Sequence, residues 1–172
     1  VNGDYLPLLS ARARFGRILD DRDDAPGAAP TLLLGDAGWR ALTASDPDIV
    51  GKTLNFGGVE FTVVGVMSPA FEFPTSTKVE AWTPLAFDPK DLHGRSRRAR
   101  SLTVVGRLAA GSTPQQAQEE VSVLASRIAA AFEDSNGGWG ARVVAAHEQL
   151  VGASRPALMV LMGAVGFLLL IV

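Results

Sequence analysis

Apolar and polar positions alternate with period two in two adjacent stretches. Thr53-Leu54-Asn55-Phe56 and Val59-Glu60-Phe61-Thr62-Val63-Val64 flank Gly57-Gly58. This is the pattern of two strands joined by a two-residue turn. Leu54 and Phe56 share one side and predict a buried face there. Val66-Met67-Ser68-Pro69 ends the second strand. Upstream, Thr31-Leu32-Leu33-Leu34 predicts a short apolar strand. Gly35 follows, then a helix with Asp36 as its N-cap and Trp39 and Leu42 on one face. Asp4-Tyr5-Leu6-Pro7-Leu8-Leu9 predicts a helical turn interrupted by proline. Val79-Glu80-Ala81-Trp82-Thr83-Pro84-Leu85 predicts a strand that Pro84 confines to an edge.

The period changes after Gly111-Ser112. Thr113-Pro114-Gln115-Gln116 is a capping box with proline at the first helical position. Ala117, Val121, Leu124, Ile128 and Phe132 then recur as one apolar helix face, opposed by Gln118, Glu119, Ser122 and Arg127. Asn136-Gly137-Gly138 ends that helix. Leu102-Thr103-Val104-Val105-Gly106-Arg107-Leu108 before it and Arg142-Val143-Val144-Ala145 after it predict strands. Together they predict a β-α-β unit with the helix packed on a sheet.

From Ala157 to Val172 no residue is charged. The run is apolar on every face and holds Gly163 and Gly166, which suit membrane helices better than soluble ones. Pro156 fits the first turn and Ser154 can cap it. A membrane span needs about 20 apolar residues, and the run reaches the last residue of the chain. Residues 154–172 therefore predict the start of a transmembrane helix, with Leu158, Val160, Leu161, Val165, Phe167, Leu168, Leu169, Leu170 and Ile171 as its membrane-spanning positions. A buried helix of a soluble domain is the alternative, but such a helix would normally carry a polar stripe. The chain starts at Val1, not Met, with no signal peptide before it, and reads as a piece of a longer protein.

The 172 residues suit one domain or two small ones. Lys plus Arg is 16 and Asp plus Glu is 18, for a net charge of −2. That balance argues against nucleic acid as the main partner. The cysteine count of 0 excludes disulfides, thiolate metal sites and thiol catalysis. Asp20, Asp21, Asp23 and Asp24 lack EF-hand spacing and its closing Glu, so the stretch reads as a solvated acidic loop. His93 to Arg100, with Arg95, Arg97, Arg98 and Arg100, reads as a solvated connector; its second reading is a contact to lipid phosphates or an acidic partner. Gly51-Lys52-Thr53 resembles the end of a phosphate-binding loop. However, Asp46 stands where that motif needs glycine, and Lys52-Thr53 opens a strand instead of a helix. His93 and His147 lie in no metal-ligand spacing, and no nucleophile elbow is present. No catalytic, cofactor-binding or metal-binding residue is assigned, and the expectation is that the chain is not an enzyme.

The order of these stretches resembles the MacB-like periplasmic core domain of FtsX/MacB-type ABC transporter permeases. The resemblance is carried by Asp46-Pro47-Asp48-Ile49-Val50-Gly51-Lys52-Thr53-Leu54, the Gly57-Gly58 hairpin, and Phe61-Thr62-Val63-Val64-Gly65-Val66-Met67. It continues in Val104-Val105-Gly106-Arg107-Leu108, Gly111-Ser112-Thr113-Pro114-Gln115-Gln116-Ala117, Asn136-Gly137-Gly138-Trp139-Gly140, Glu148-Gln149-Leu150-Val151-Gly152 and Arg155-Pro156-Ala157-Leu158. The wording is most similar to the duplicated permeases of Acidobacteria and their relatives. The resemblance implies an α+β chain in three parts. These are a mixed α/β Sabre-like subdomain over 1–92, half of a porter-like β-α-β subdomain over 93–153, and the truncated membrane helix over 154–172. It also implies that the other porter-like half precedes Val1.

The function implied is mechanical. A separate cytoplasmic ATPase would drive membrane-helix motion, and this domain, on the extracytoplasmic side of the bacterial inner membrane, would couple it to export or envelope mechanotransmission. Membrane lipid, an envelope partner protein and a second copy of the full-length protein are the other partners implied. A membrane-anchored signalling or adaptor ectodomain is the alternative.

Overall fold

The computed structural model describes residues 1–71, 79–87, 99–100, 102–151, 160 and 162. The chain divides into two compact units, Val1–Arg107 and Leu108–Val172.

The first unit is built on a mixed sheet of five strands: β1 (Ala13–Gly16), β2 (Thr31–Leu34), β3 (Thr53–Phe56), β4 (Val59–Met67) and β5 (Ala81–Trp82). Their order is β1-β4-β2-β5, and β3 also pairs with β4. The hairpin forms as expected, with Phe56 opposite Val59. Gly57 and Gly58 take φ of +62° and +87°, the left-handed geometry that a tight hairpin turn needs and that glycine adopts without steric cost. β2 runs parallel to β4 along one edge, over Thr62–Val66. The other edge of β4 is shared. β3 takes Val59–Thr62 and β1 takes Gly65–Met67, both antiparallel. Between them the ladder continues through Lys52 and Arg17: Val63 N donates to Lys52 O at 2.9 Å, and Arg17 N donates to Val64 O at 3.0 Å. β5 pairs with β2 and ends the sheet, the edge position that Pro84 predicts.

Successive residues of β2 point to opposite faces, and both faces are buried. Leu33 joins Leu6, Ala11, Leu19, Met67 and Trp82 in one core. Leu32 and Leu34 join Trp39, Ile49, Val63 and Val66 in the other. A continuous apolar run is what a central strand covered on both sides requires. Strict alternation along β4 would separate Val63 from Val66, yet they share one core. The reason is a bulge: Leu32 pairs with Val63 but Leu33 with Gly65, so β4 carries one extra residue there and its later side chains change faces.

Two helices flank the sheet. α1 (Tyr5–Leu8) supplies Leu6 to the first core, and α2 (Asp36–Thr43) supplies Trp39 to the second. Two expectations for α2 are corrected. Gly35 is the N-cap and Asp36 is the first helical residue, where its charge favours the helix dipole and holds Arg40 at 2.8 Å. Leu42 is 45% exposed while Trp39 is buried. Three residues along a helix is a 300° rotation, and Trp39 is fixed independently by donating from Nε1 to Asp46 O at 2.7 Å.

The stretch Leu102–Leu108 is irregular, not the expected strand. A strand needs a ladder partner, and none of the described residues supplies one. The stretch is tied instead at its end, where the Arg107 guanidinium donates to the Leu8 carbonyl.

The second unit holds α3 (Pro114–Ala131), α4 (Glu133–Asn136) and α5 (Ala146–Val151). The capping box at the start of α3 is complete. Gln116 N donates to Thr113 Oγ1 at 3.2 Å and Thr113 N donates to Gln116 Oε1 at 2.9 Å. We expect Thr113→Ala to cost about 1 kcal/mol of helix stability, read as faster amide hydrogen exchange in the first turn of α3. The helix stops at Phe132, with φ −136° and ψ 58°. That is earlier than Asn136-Gly137-Gly138, which instead closes the separate turn α4. The expected return strand at Arg142–Ala145 is also irregular. α3 buries none of its residues, so the expected packing of its apolar face on a sheet is not found among the described residues.

Candidate interaction surfaces

The loop after β1 is not the solvated acidic loop its composition suggests. Arg17 grips Asp23 with both terminal guanidinium nitrogens, Nη1 to Oδ2 at 2.5 Å and Nη2 to Oδ1 at 2.8 Å. The Asp23 side chain is only 3% exposed. Asp20 N donates to the same carboxylate at 2.9 Å. The Arg17 hydrogen bond, offset in part by burial, holds the Asp23 pKa below the usual carboxylate range and raises that of Arg17. Thr31 Oγ1 is buried without a well-formed hydrogen bond, though it sits near enough to Asp23 to help keep the carboxylate ionised. Asp20 binds Arg22 through Nε, Nη2 and the backbone N at 3.1, 2.7 and 3.0 Å, and its pKa falls to about 2 for that reason. Asp24 Oδ1 accepts from Ala86 N at 2.7 Å. These carboxylates hold the loop together.

The stretch that resembles a phosphate loop is likewise used by the fold. Lys52 Nζ lies 2.6 Å from Asp46 Oδ2, and that contact keeps the Asp46 pKa low. Gly51 N donates to Val63 O at 2.8 Å and Lys52 N to Ile49 O at 3.0 Å. The amides that would cradle a phosphate are therefore spent, one on the edge of β4 and one on the turn at Ile49. Beside them, where β1 and β3 meet on β4, Gly16, Arg17, Val50, Gly51 and Thr62–Val64 line a shallow depression of about 430 Å³. On the α2 face, the Arg14 guanidinium stands 5.1 Å from both the Phe15 and Trp39 ring centroids and 3.5 Å from Asp36.

In the second unit the apolar stripe of α3 is open. Leu124, Ile128 and Phe132 are 53%, 47% and 40% exposed, and Trp139 is 60% exposed. The polar side holds the better-organised feature. Gln118, read from sequence as a solvent-facing residue, is half-buried. Its Oε1 accepts from Val143 N at 2.7 Å and its Nε2 donates to Ala141 O at 2.9 Å. Its spacing carries no signal of that role, because the partners lie 25 and 23 residues away.

His147 lies exposed on α5. No group of three His, Cys, Asp or Glu able to hold a metal occurs among the described residues. His93, Arg95, Arg97 and Arg98 lie outside the described residues. So do Leu158, Leu161, Val165, Phe167, Leu168, Leu169, Leu170 and Ile171. Val160 and Met162 are helical and 73% and 76% exposed. Among the described residues, no helix is long and apolar enough to cross a membrane.

No curated protein matches this chain. Several solved structures resemble it, among them the following two. The periplasmic region of MacB from Actinobacillus actinomycetemcomitans is 15% identical with a TM-score of 0.49, over 78% of this chain and 56% of that one. A domain of a candidate permease protein from Porphyromonas gingivalis is 17% identical with a TM-score of 0.48, over 83% and 62%. The chain thus spans less than two thirds of either. The family model of the MacB-like periplasmic core domain matches residues 1–124, which takes in the whole first unit and the N-terminal half of α3. With that much of its length matched, the chain belongs to the family of MacB-like periplasmic core domains.

Proposed function

We propose that this chain is the periplasmic domain of an ABC-transporter-type permease. In this role it couples ATPase-driven movement of membrane helices to substrate export or to mechanical work in the envelope. The observation that carries the reading is the family match over residues 1–124, followed in the same chain by the uncharged run Ala157–Val172. That run, with Leu158, Val160, Leu161, Val165 and Phe167 to Ile171, would begin the membrane helix on which the domain moves. ATP chemistry would reside in a separate cytoplasmic subunit, and the domain would do no catalysis of its own. An envelope protein and a second copy of the full-length protein complete the partners of this reading. The first unit suits such work: a sheet with a core on each face and an ion-paired loop moves as a solid body.

The test is fractionation of the full-length protein, with protease digestion of spheroplasts and affinity recovery of bound proteins. The expected result is inner-membrane sedimentation, cleavage of this domain from outside, and recovery of an ATPase. A soluble protein, or a domain shielded in spheroplasts, overturns the reading. Membrane association with no ATPase recovered favours the single-anchor adaptor.

A further inference from the structure

Arg142–Ala145 has the composition of a strand and finds no strand beside it among the described residues. Gln118 supplies what a neighbouring strand would. A side-chain amide is a planar donor-acceptor pair like a peptide group. Here it accepts from Val143 N at 2.7 Å and donates to Ala141 O at 2.9 Å. Its orientation is set on the helix side as well. Nε2 also donates to Ser122 Oγ at 2.9 Å, while Ser122 Oγ donates back to Gln118 O at 2.7 Å. A flipped amide would set like against like at both Ala141 and Val143.

The chain reaches this segment from α4 through Gly137-Gly138-Trp139-Gly140, a turn in which Gly137 N donates to Glu133 O at 2.8 Å and Trp139 N to Asn136 O at 3.1 Å. The segment then runs straight into α5, where Gln149 N donates to Ala145 O at 3.0 Å, and on toward the uncharged run.

We propose that Gln118 is a clasp that makes residues 141–145 move as one body with α3, so that a displacement arriving through α5 is passed to α3 across this amide. The direction of the load rests on the permease reading. The clasp does not.

The test uses the full-length protein in lipid nanodiscs, without nucleotide. Gln118→Met keeps the side chain's length and removes both hydrogen bonds. Gln118→Glu keeps the acceptor for Val143 and loses the donor for Ala141. Exchange at the Val143 amide is expected to rise about tenfold in Gln118→Met and by clearly less in Gln118→Glu, which keeps the acceptor for Val143 N but sets a carboxylate oxygen against Ala141 O. Amides of α3 between Leu124 and Ile128 should be unchanged in both, which separates the clasp from general loss of structure. Spin labels on Arg127→Cys and His147→Cys, with any cysteine outside this cysteine-free stretch replaced, should give a distance distribution that broadens in Gln118→Met. Unchanged protection at Val143 in Gln118→Met, equal loss in both variants, or an unchanged distance distribution overturns the clasp. Failure of the permease reading would show instead in the fractionation.

Discussion

Replacing Arg17 with methionine is expected to destabilise the first unit by about 3 kcal/mol, seen as a lower urea midpoint at unchanged slope. The variant leaves the Asp23 carboxylate, 3% exposed, buried without its cation. Arg17 itself is 41% exposed, so solvent screens part of the interaction and the lower end of the range for buried pairs applies. The same pair sets a pH dependence. Asp23 is depressed mainly by its hydrogen bond from Arg17, and Asp20, at about 2, by those from Arg22. A carboxylate whose folded pKa lies below its unfolded value, about 3.9, stabilises the fold above that unfolded value. It loses this contribution as pH falls through the folded one. Wild-type stability should therefore hold from pH 7 to about pH 5 and decline below about pH 4. In Arg17→Met the uncompensated burial favours the neutral acid, so the gap between the two proteins should narrow as acid is added. A gap that stays constant down to pH 3 would remove the ion pair as its cause.

Gly65→Ala is expected to be as damaging, for a steric reason. A Cβ at Gly65 would lie 2.2 Å from Arg17 O and 2.8 Å from Phe15 O. Both are backbone atoms of the β1 segment and cannot rotate away. β1 would have to lift from β4, opening the Gly16–Gly65 pairing and the Arg17 N to Val64 O bond beside it. A cost of about 3 kcal/mol is expected. Gly58→Ala is the control. It meets nothing within 4 Å, and only its φ of +87° is unfavourable, a penalty of about 1–2 kcal/mol. Urea titrations of the two variants compare them directly. If Gly65→Ala proves no costlier than Gly58→Ala, β1 does not sit against β4 at this point.

The hairpin, α2 and the capped start of α3 were readable from the chain because each rests on contacts within a few residues. β2 was readable because its unbroken apolar run is what a strand buried on both faces requires, although its partners β4 and β5 lie far along the chain. Gly57-Gly58 can hardly serve anything but a tight turn, and Thr113 with Gln116 satisfies the helix start whatever surrounds it. β1 was not read. Its four residues carry no distinctive alternation, and it exists because Gly65 admits a backbone at close range. The candidate surfaces were less legible. Four aspartates in five positions look like a solvated loop until Arg17 is placed among them. Gln118 looks like one polar residue on a wet helix face. The family resemblance was legible because it depends on the order of local motifs, which survives without knowledge of their packing.

By itself, then, the sequence determined an α+β chain with the hairpin and capped helix of a MacB-like periplasmic core domain, ahead of an uncharged run. Periodicity, caps and turn glycines are local quantities. Only the tertiary structure decided which edge of β4 each strand took, where the bulge moved Val66 into the core of Val63, and that Leu102–Leu108 and Arg142–Ala145 would not be strands. Strand formation needs hydrogen-bond partners from elsewhere in the chain, and composition does not say whether they arrive.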